Sequence, residues 1–159
     1  MSLSIVEADL SRADHQEAVV AMIDAYAADP MGNAKGLTAD VRAALVPGLR
    51  KVPTTLIFLA YLDGQPVGIA ACFHGFSTFA AKPLINIHDL AVVPGHRGHG
   101  IGRRLLEAVE QKARSLGCCK VTLEVGEDNR ARRLYEAFGF AQTIYGGAGA
   151  ALFFSKPLS

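Results

Sequence analysis

The sequence has little cysteine, and its cysteines are poorly arranged for crosslinks. It holds three cysteines among 159 residues, an odd number, and two of them, Cys118 and Cys119, are direct neighbours. A disulfide framework needs an even set of cysteines that are spread along the chain. We therefore expect no disulfide scaffold and a reducing, cytoplasmic setting.

Long apolar runs and an excess of one charge are also missing. No apolar stretch approaches the roughly 20 residues of a membrane span, and the start of the chain lacks the basic and apolar regions of a secretion signal. The formal net charge is only +1, and 19% of the residues are charged. Such a balanced chain is not typical of proteins that bind long polyanions. We expect neither a membrane nor a nucleic-acid partner.

Hydrophobic residues, in contrast, are plentiful, at 50% of the chain. A chain of this length and composition can form an ordinary buried core without metals or crosslinks. Because the sequence has no internal repeat and no linker-like stretch, we expect a single domain over residues 1–159.

The apolar periodicity predicts alternating strands and helices. Predicted strands cover residues 3–8, 54–61, 67–73, 84–93 and 120–125, and predicted helices cover about 14–27, 38–49, 101–116 and 129–138. Asp63-Gly64 between two apolar runs predicts a tight hairpin with antiparallel strands. The helix after strand 84–93 is a crossover, which makes its flanking strands parallel. The sequence therefore predicts an α/β fold with a mixed, mostly antiparallel sheet and about four helices.

Two further expectations concern chain breaks. Pro47 should kink or shorten the second helix, because proline removes a backbone donor and clashes with the preceding turn. Beyond Gly139, residues 140–145 and 150–156 are predicted to form a closing pair of strands around the glycines at 146–149.

The apolar alternation slips within the predicted strand 84–93. Ile85 and Ile87 share one face, whereas Leu90 and Val92 are displaced by one residue. This slip indicates a β-bulge near His88-Asp89.

A bulge interrupts strand pairing, so the following backbone groups can bond an extended ligand as if it were another strand. We predict that Leu90, Ala91 and Val92 do so, and pantetheine with its two amides is a suitable ligand. The alternative is a strand with one irregular residue and no ligand.

A glycine-rich turn follows, and residues 94–104 read Pro-Gly-His-Arg-Gly-His-Gly-Ile-Gly-Arg-Arg. Its glycines let the backbone bend sharply and approach a ligand closely. The amides at the start of the next helix, together with the helix dipole, make a site for phosphate oxygens. A first helical turn normally favours acids, yet this one carries Arg103 and Arg104. These cations indicate a bound anion.

Other phosphate and metal sites require different spacing. A P-loop needs Gly-Lys-Ser/Thr after Gly100, and a dinucleotide fingerprint needs a glycine where Arg103 stands. His96 and His99 have no third ligand at a compatible spacing, so we expect no metal. We interpret both histidines as exposed loop residues.

Arg97-Gly-His-Gly-Ile-Gly102 resembles the Gln/Arg-x-x-Gly-x-Gly/Ala signature of the GNAT superfamily of N-acetyltransferases. The strand 121–125, Asn129 and the segment 134–140 are similar to the core of the same family. The resemblance implies a single-domain GNAT-like fold with a bulged and splayed fourth strand, and acetyl-coenzyme A as co-substrate. The predicted coenzyme-binding residues are Leu90, Ala91, Val92, Arg97, Gly98, His99, Gly100, Ile101, Gly102, Arg103 and Asn129.

The resemblance also assigns chemical roles. Tyr135 stands where the family places a general acid, and a phenol near the sulfur can protonate the departing thiolate. The alternative for Tyr135 is packing of a helix residue on the sheet. The interval from Asn129 to Tyr135 is one residue shorter than usual, which leaves Asp128 as an alternative to Asn129.

An amine with a reference pKa of about 10 is mostly protonated at neutral pH, so a base must accept its proton, directly or through water. His88 stands where the diamine-acetylating branch, which residues 76–89 resemble, carries a glutamate. Its alternative is a half-buried polar residue. Glu124 lies on the facing strand, where some members that acetylate protein N-termini place their base. Asp89 is the third candidate and is equally suited to anchoring the bulge.

We expect the acceptor pocket between the first two helices and the segment before the bulge. Its candidate walls, which could equally pack in the core, are Tyr26, Met31, Phe73, Phe76 and Phe79. The sequence thus predicts an N-acetyltransferase for a primary amine of a small molecule or peptide. The alternative is a catalytically silent coenzyme A-binding sensor or interaction module, and the family resemblance also suggests a homodimer.

Overall fold

The computed structural model describes residues 2–144, 146 and 149–158. The chain divides into two compact units, Met1–Leu123 and Glu124–Ser159. Within the described residues, no helix combines the length and the apolar character that a membrane crossing requires. The expectation of a single domain stays a prediction.

The first unit contains a five-stranded sheet. Its strands are β1 (Leu3–Glu7), β2 (Thr55–Leu62), β3 (Gln65–Ser77), β4 (Lys82–Val92) and β5 (Val121–Leu123), and they lie in that order across the sheet. The first three pairings are antiparallel, and β4 pairs with β5 in parallel. The predicted mixed, mostly antiparallel sheet is therefore confirmed. The predicted hairpin is also present, since Asp63 and Gly64 turn the chain between β2 and β3 with φ angles of 49° and 82°.

Three helices belong to this unit, namely α1 (Ala13–Ala28), α2 (Ala39–Arg50) and α3 (Ile101–Ser115). The Thr38 hydroxyl caps α2 by accepting a hydrogen bond from the Val41 amide at 3.4 Å. Pro47 lies inside α2, which continues to Arg50. The expected shortening is therefore wrong, because a proline in the last turn removes only one bond of the helix.

The helices cover opposite faces of the sheet. On one face, α1 contributes buried residues to a core with Ile69 and Ala71 of β3. On the other face, a Cβ at Gly68 would lie 3.2 Å from Leu105 and 3.4 Å from Ile101 of α3. Successive residues of a strand point to opposite sides, so α3 packs closely against β3 at Gly68.

The second unit contains a short helix, α4 (Arg132–Ala137), which begins later than predicted. The predicted strand pair at 140–145 and 150–156 is wrong. Its described residues form an isolated bridge between Ile144 and Ala150, while Tyr145 lies outside the described residues. A lone two-stranded ribbon is marginal in water, and the apolar side chains of residues 152–154 are exposed. Apolar content alone was a misleading signal for these strands.

Candidate functional site

A bulge interrupts β4 at His88. Ala71 of β3 pairs with Asp89, and the next residue, Cys72, pairs with Ile87. His88 is therefore the extra residue on β4. The bulge predicted from the slipped alternation is confirmed.

The bulge also divides the two edges of β4. The parallel pairing with β5 covers Ile85–Ile87 and stops at the bulge, whereas the pairing with β3 continues to Val92. The Val93 amide donates to the Val67 carbonyl at 2.9 Å. By the antiparallel alternation, Leu90 and Val92 then direct their backbone groups away from β3.

The same alternation turns the backbone groups of Ala91 toward Ile69 of β3. Of the three residues predicted to bond pantetheine, Leu90 and Val92 thus direct their backbone groups toward the edge of β4 that lies beyond the end of β5. This edge exists because β5 ends early, and not because β3 and β4 separate.

The glycine loop between β4 and α3 is open on one side. Gly98 and Gly100 have φ angles of 80° and 78°, a backbone region that other residues rarely adopt. A Cβ at either glycine would meet no heavy atom within 4 Å. The loop therefore leaves space against its backbone for a ligand.

The start of α3 supplies donors to this space. Gly100 is the N-cap residue and contributes no side-chain cap, and the Arg104 amide donates to the Gly100 carbonyl at 3.1 Å. The amides of Ile101 and Gly102 precede this first helical bond and have no acceptor within the helix. Together with the helix dipole, they favour an anion.

The charge of the first turn reinforces this preference. It contains no acidic residue, and the guanidinium groups of Arg103 and Arg104 lie 3.3 and 3.8 Å from one carboxylate, that of Glu107. The first turn of α3 thus carries two cations and no acid of its own. His99, also predicted to contact the coenzyme, is exposed, and its Nδ1 lies 3.2 Å from the His96 carbonyl.

Arg97 of the signature uses two of its donors within the protein. Its Nε donates to the Val92 carbonyl at 3.0 Å, and its Nη2 donates to the Asp29 carboxylate at 2.6 Å. The side chain of Asp29 is only 6% exposed, and that of Arg97 is 33% exposed. Arg97 thus ties the glycine loop to β4 and to the end of α1.

His88 and Asp89 project from the α1 face of the sheet. Asp89 pairs with Ala71, whose side chain belongs to the core under α1, and cross-strand partners share a face. The His88 ring meets the ring of Phe73 edge-on, with centroids 5.7 Å apart. Phe73 lies two residues from Ala71 and hence on the same face. The bulge therefore places two titratable neighbours side by side.

The surroundings of these groups alter their acidity. Burial raises the pKa of the Asp89 carboxyl, and the nearby His88 opposes this effect. Burial, followed by the charges of Asp89 and Asp29, raises the pKa of Tyr26. Burial and Asp89 also raise the pKa of the Cys72 thiol to about 12. Cys72 therefore stays protonated at neutral pH and is not a nucleophile.

The other predicted site residues belong to the second unit. Glu124 is exposed and follows β5, which ends at Leu123. Its predicted position on a facing strand is wrong, because β5 ends level with the bulge of β4. The Asn129 side chain accepts a hydrogen bond from the Ala131 amide at 2.9 Å, so it organises the turn before α4. Tyr135 is 7% exposed and packs edge-on against Phe140 at 6.0 Å.

The expected acceptor walls differ in their surroundings. Phe79 is 97% exposed at the tip of the β3–β4 hairpin and packs on almost nothing, and Phe76 is also exposed. Tyr26 is partly buried on α1. Among the expected walls of the acceptor pocket, Tyr26 has a phenol whose pKa is raised by burial and by the charges of Asp89 and Asp29.

Asp29 was not identified from the sequence as a site residue, since it lies just after the predicted helix 14–27. A signal for it existed, because a carboxylate at a helix C-terminus is disfavoured by the dipole and calls for a cation. The sequence could not identify that cation, which stands at position 97.

Comparison with known proteins agrees with this geometry. The sequence profile of the acetyltransferase (GNAT) family matches residues 20–140. An uncharacterized N-acetyltransferase of Archaeoglobus fulgidus is 38% identical over 96 residues, which cover 59% of this chain and 65% of that relative. The chain thus matches somewhat less than two thirds of that relative's length.

Solved structures share the fold. An aminoglycoside acetyltransferase from an uncultured soil metagenomic sample, crystallised with sisomicin, has a TM-score of 0.81 at 21% identity, over 99% of this chain and 97% of that one. AAC(6')-Iy in complex with a bisubstrate analog of coenzyme A and acetylneamine has a TM-score of 0.76 at 19% identity, over 99% of both chains. The predicted GNAT-like fold is confirmed. With more than half of its length matched by the family profile, the chain belongs to the GNAT family of acetyltransferases.

Proposed function

We propose that this chain is an N-acetyltransferase that moves an acetyl group from acetyl-coenzyme A to a primary amine of a small molecule or peptide. The open glycine loop at the start of α3 carries this proposal. Gly98 and Gly100 leave space against the backbone, and the first turn of α3 holds cations and no acid. A pyrophosphate needs this combination of amide donors and positive charge.

The edge of the sheet supports the proposal as well. In the proposal, the amides of residues 98–102 hold the pyrophosphate, Arg103 adds charge, and Leu90 and Val92 bond the pantetheine arm. When bound, the coenzyme supplies a thioester whose carbonyl carbon is the electrophile. Asn129 is proposed as a further contact to the pantetheine arm, through the amide nitrogen of its side chain.

The transfer itself is a direct attack. The amine nitrogen forms a bond to the carbonyl carbon, and the bond from that carbon to sulfur breaks. The proton released by the amine passes to a base, and the Tyr135 phenol gives a proton to the thiolate. No acyl-enzyme is needed, in keeping with the raised pKa of Cys72.

The base is proposed among His88, Asp89 and Glu124. His88 and Asp89 share the α1 face at the bulge, and burial raises the pKa of Asp89 toward neutrality. A carboxylate with a raised pKa is a better proton acceptor at neutral pH than an ordinary one. Glu124 is exposed beyond β5, which supports it less.

An amine acceptor is supported by the similar proteins, among them the aminoglycoside acetyltransferase crystallised with sisomicin. A cytoplasmic setting is proposed because all three cysteines are free. A homodimer stays a prediction.

The test is a turnover screen with acetyl-coenzyme A across polyamines, amino acids, aminoglycosides and N-terminal peptides, with thiol release as the readout. We expect release above the amine-free background with at least one class of amine. Binding of coenzyme A without release for any amine would favour the alternative, a catalytically silent coenzyme A-binding module. Absence of binding by calorimetry would contradict both functions.

A further inference from the structure

One ion pair connects the coenzyme side of the site with the end of α1. The coenzyme side is formed by the edge of β4 at Leu90 and Val92 and by the glycine loop. Arg97 Nη2 donates to Asp29 Oδ2 at 2.6 Å across 68 residues of sequence. The Asp29 side chain is 6% exposed, so the pair is shielded from water on its acidic side. A charged hydrogen bond in such a setting is short and directional.

Asp29 also organises the α1–α2 loop, residues 29–38. Its Oδ1 accepts a hydrogen bond from the Met31 amide at 2.9 Å, and its carbonyl accepts from the amides of Gly32 and Ala34 at 2.9 and 3.1 Å. Gly32 has to be glycine, because a Cβ there would lie 2.2 Å from the Tyr26 carbonyl. The loop is therefore folded tightly around the carboxylate that Arg97 binds.

Arg97 reaches the coenzyme side through its other donor. Its Nε donates to the Val92 carbonyl at 3.0 Å, on the edge of β4 that β5 leaves. Arg97 itself lies within the glycine loop, directly before Gly98. A single guanidinium thus fixes the loop, the edge of β4 and the α1–α2 loop relative to one another.

A buried ion pair is weak support for stability, because desolvation offsets the attraction, but it can fix one arrangement over others. The carboxylate of Asp29 stands at the C-terminus of α1, where the helix dipole disfavours it. Its charge is compensated by the arginine of the glycine loop. The geometry is therefore better suited to registration of two loops than to stabilisation of α1.

We propose that Asp29 is a positioning residue of the coenzyme site: it holds Arg97 so that the glycine loop is arranged before the coenzyme arrives, and it couples coenzyme binding to the order of the α1–α2 loop. The proposal rests on the proposed function, in which the coenzyme binds at this loop. A site arranged in advance loses less freedom on binding and hence binds more tightly.

A double-mutant cycle tests the positioning role, with coenzyme A affinity measured by calorimetry. We expect Asp29→Asn and Arg97→Met each to weaken binding by about tenfold, and the double variant to be no weaker than either one. In the opposite case, Arg97 binds the pyrophosphate and Asp29 holds Arg97 away from it. Asp29→Asn would then bind coenzyme A as well as wild type does, or better. Equal or tighter binding, or additive losses, would overturn the proposal.

Asp24 offers a matched control in the same helix. Its carboxylate accepts a hydrogen bond from the Leu37 amide at 2.7 Å and lies 3.7 Å from Arg42. It therefore holds the far end of the α1–α2 loop through contacts that do not involve Arg97. We expect Asp24→Asn to stay within about twofold of wild-type affinity. An equal loss in Asp24→Asn would mean that loop order in general, and not the Asp29–Arg97 pair, is responsible.

A second measurement needs no variant and covers the case in which Asp29→Asn fails to fold. Hydrogen exchange of the wild-type Met31 amide should slow by at least about fivefold when coenzyme A is added, and that of Leu37 by less than about twofold. Unchanged exchange at Met31 in the bound protein would overturn the coupling. If wild-type protein does not bind coenzyme A, the proposed function fails together with this inference. If it binds and Asp29→Asn matches it, only this inference fails.

Discussion

The two sides of the candidate site are built from different materials. The coenzyme side, formed by the edge of β4 and the glycine loop, consists mainly of backbone groups that Gly98 and Gly100 expose. The α1 side consists of side chains, among them Tyr26, whose pKa is raised by burial and by the charges of Asp89 and Asp29. A backbone site can bind the same ligand in many proteins, whereas a side-chain site can change its acceptor by substitution. The difference explains why the coenzyme can be proposed by class and the acceptor only as an amine.

The largest effect is expected on the coenzyme side, in the affinity for coenzyme A. Gly100→Glu places bulk and negative charge where the pyrophosphate is proposed to lie, and it forces a non-glycine residue to a φ of 78°. We expect coenzyme A affinity to fall by at least about a hundredfold, measured by calorimetry.

Gly64→Glu is the matched control for this substitution. Gly64 also has a positive φ and open space around its Cβ, but it lies in the β2–β3 hairpin. It imposes similar strain without touching the glycine loop, so its coenzyme affinity should equal that of wild type. Equal affinity of the Gly100 and Gly64 variants would remove the glycine loop from the site.

An intermediate effect is expected on turnover, when the residue proposed to protonate the departing thiolate is changed. Tyr135→Phe removes the proposed proton donor and keeps the ring that packs against Phe140. Turnover of acetyl-coenzyme A with an active amine should fall by at least about tenfold, while coenzyme A affinity stays within about twofold. Tyr61→Phe, a change in β2, serves as the control. Full turnover in Tyr135→Phe would exclude this tyrosine from the proton transfer.

The smallest effect is expected on the α1 side of the site, in the thermal stability of the protein. Burial raises the pKa of Asp89 in the folded protein above its ordinary value of 3.8. The folded state therefore binds more protons than the unfolded state in the window just above that value, so stability falls as the pH rises through the raised pKa. Asp89→Asn removes this cost, and its Tm at pH 7 should exceed that of wild type by about 2 °C.

The difference in Tm between Asp89→Asn and wild type should become smaller as the pH is lowered toward 4, since the wild-type carboxyl is then protonated. Thermal melts at several pH values measure this, with Glu124→Gln as an exposed control. A lower Tm for Asp89→Asn at every pH would show instead that the carboxylate anchors the bulge, which was the alternative for this residue.

The coenzyme side was largely predictable because its signals are local. The slip between Ile87 and Leu90 predicted the bulge, and the glycines before Ile101 predicted the turn and the helix start. The length of β5 was not predictable from its own residues, since pairing stops where the bulge of β4 begins. Of the strands expected at 140–145 and 150–156, the described residues form the isolated bridge between Ile144 and Ala150, since a two-stranded ribbon by itself is marginal in water.

The α1 side was less predictable because its contacts join distant residues. Asp29 and Arg97 are far apart in sequence and meet only in the folded protein. Similarly, the acidity of Asp89 depends on burial under α1, which no local pattern of β4 reveals. Side-chain sites of this kind require the tertiary arrangement before their chemistry can be proposed.

The most direct test is a crystal structure of the protein grown with coenzyme A. We expect pyrophosphate oxygens within about 3.2 Å of amide nitrogens of residues 98–102, with the pantetheine arm along Leu90 and Val92. A coenzyme bound elsewhere, or a glycine loop closed against its neighbours with no room for phosphate oxygens, would contradict the proposed site and the enzymatic function built on it.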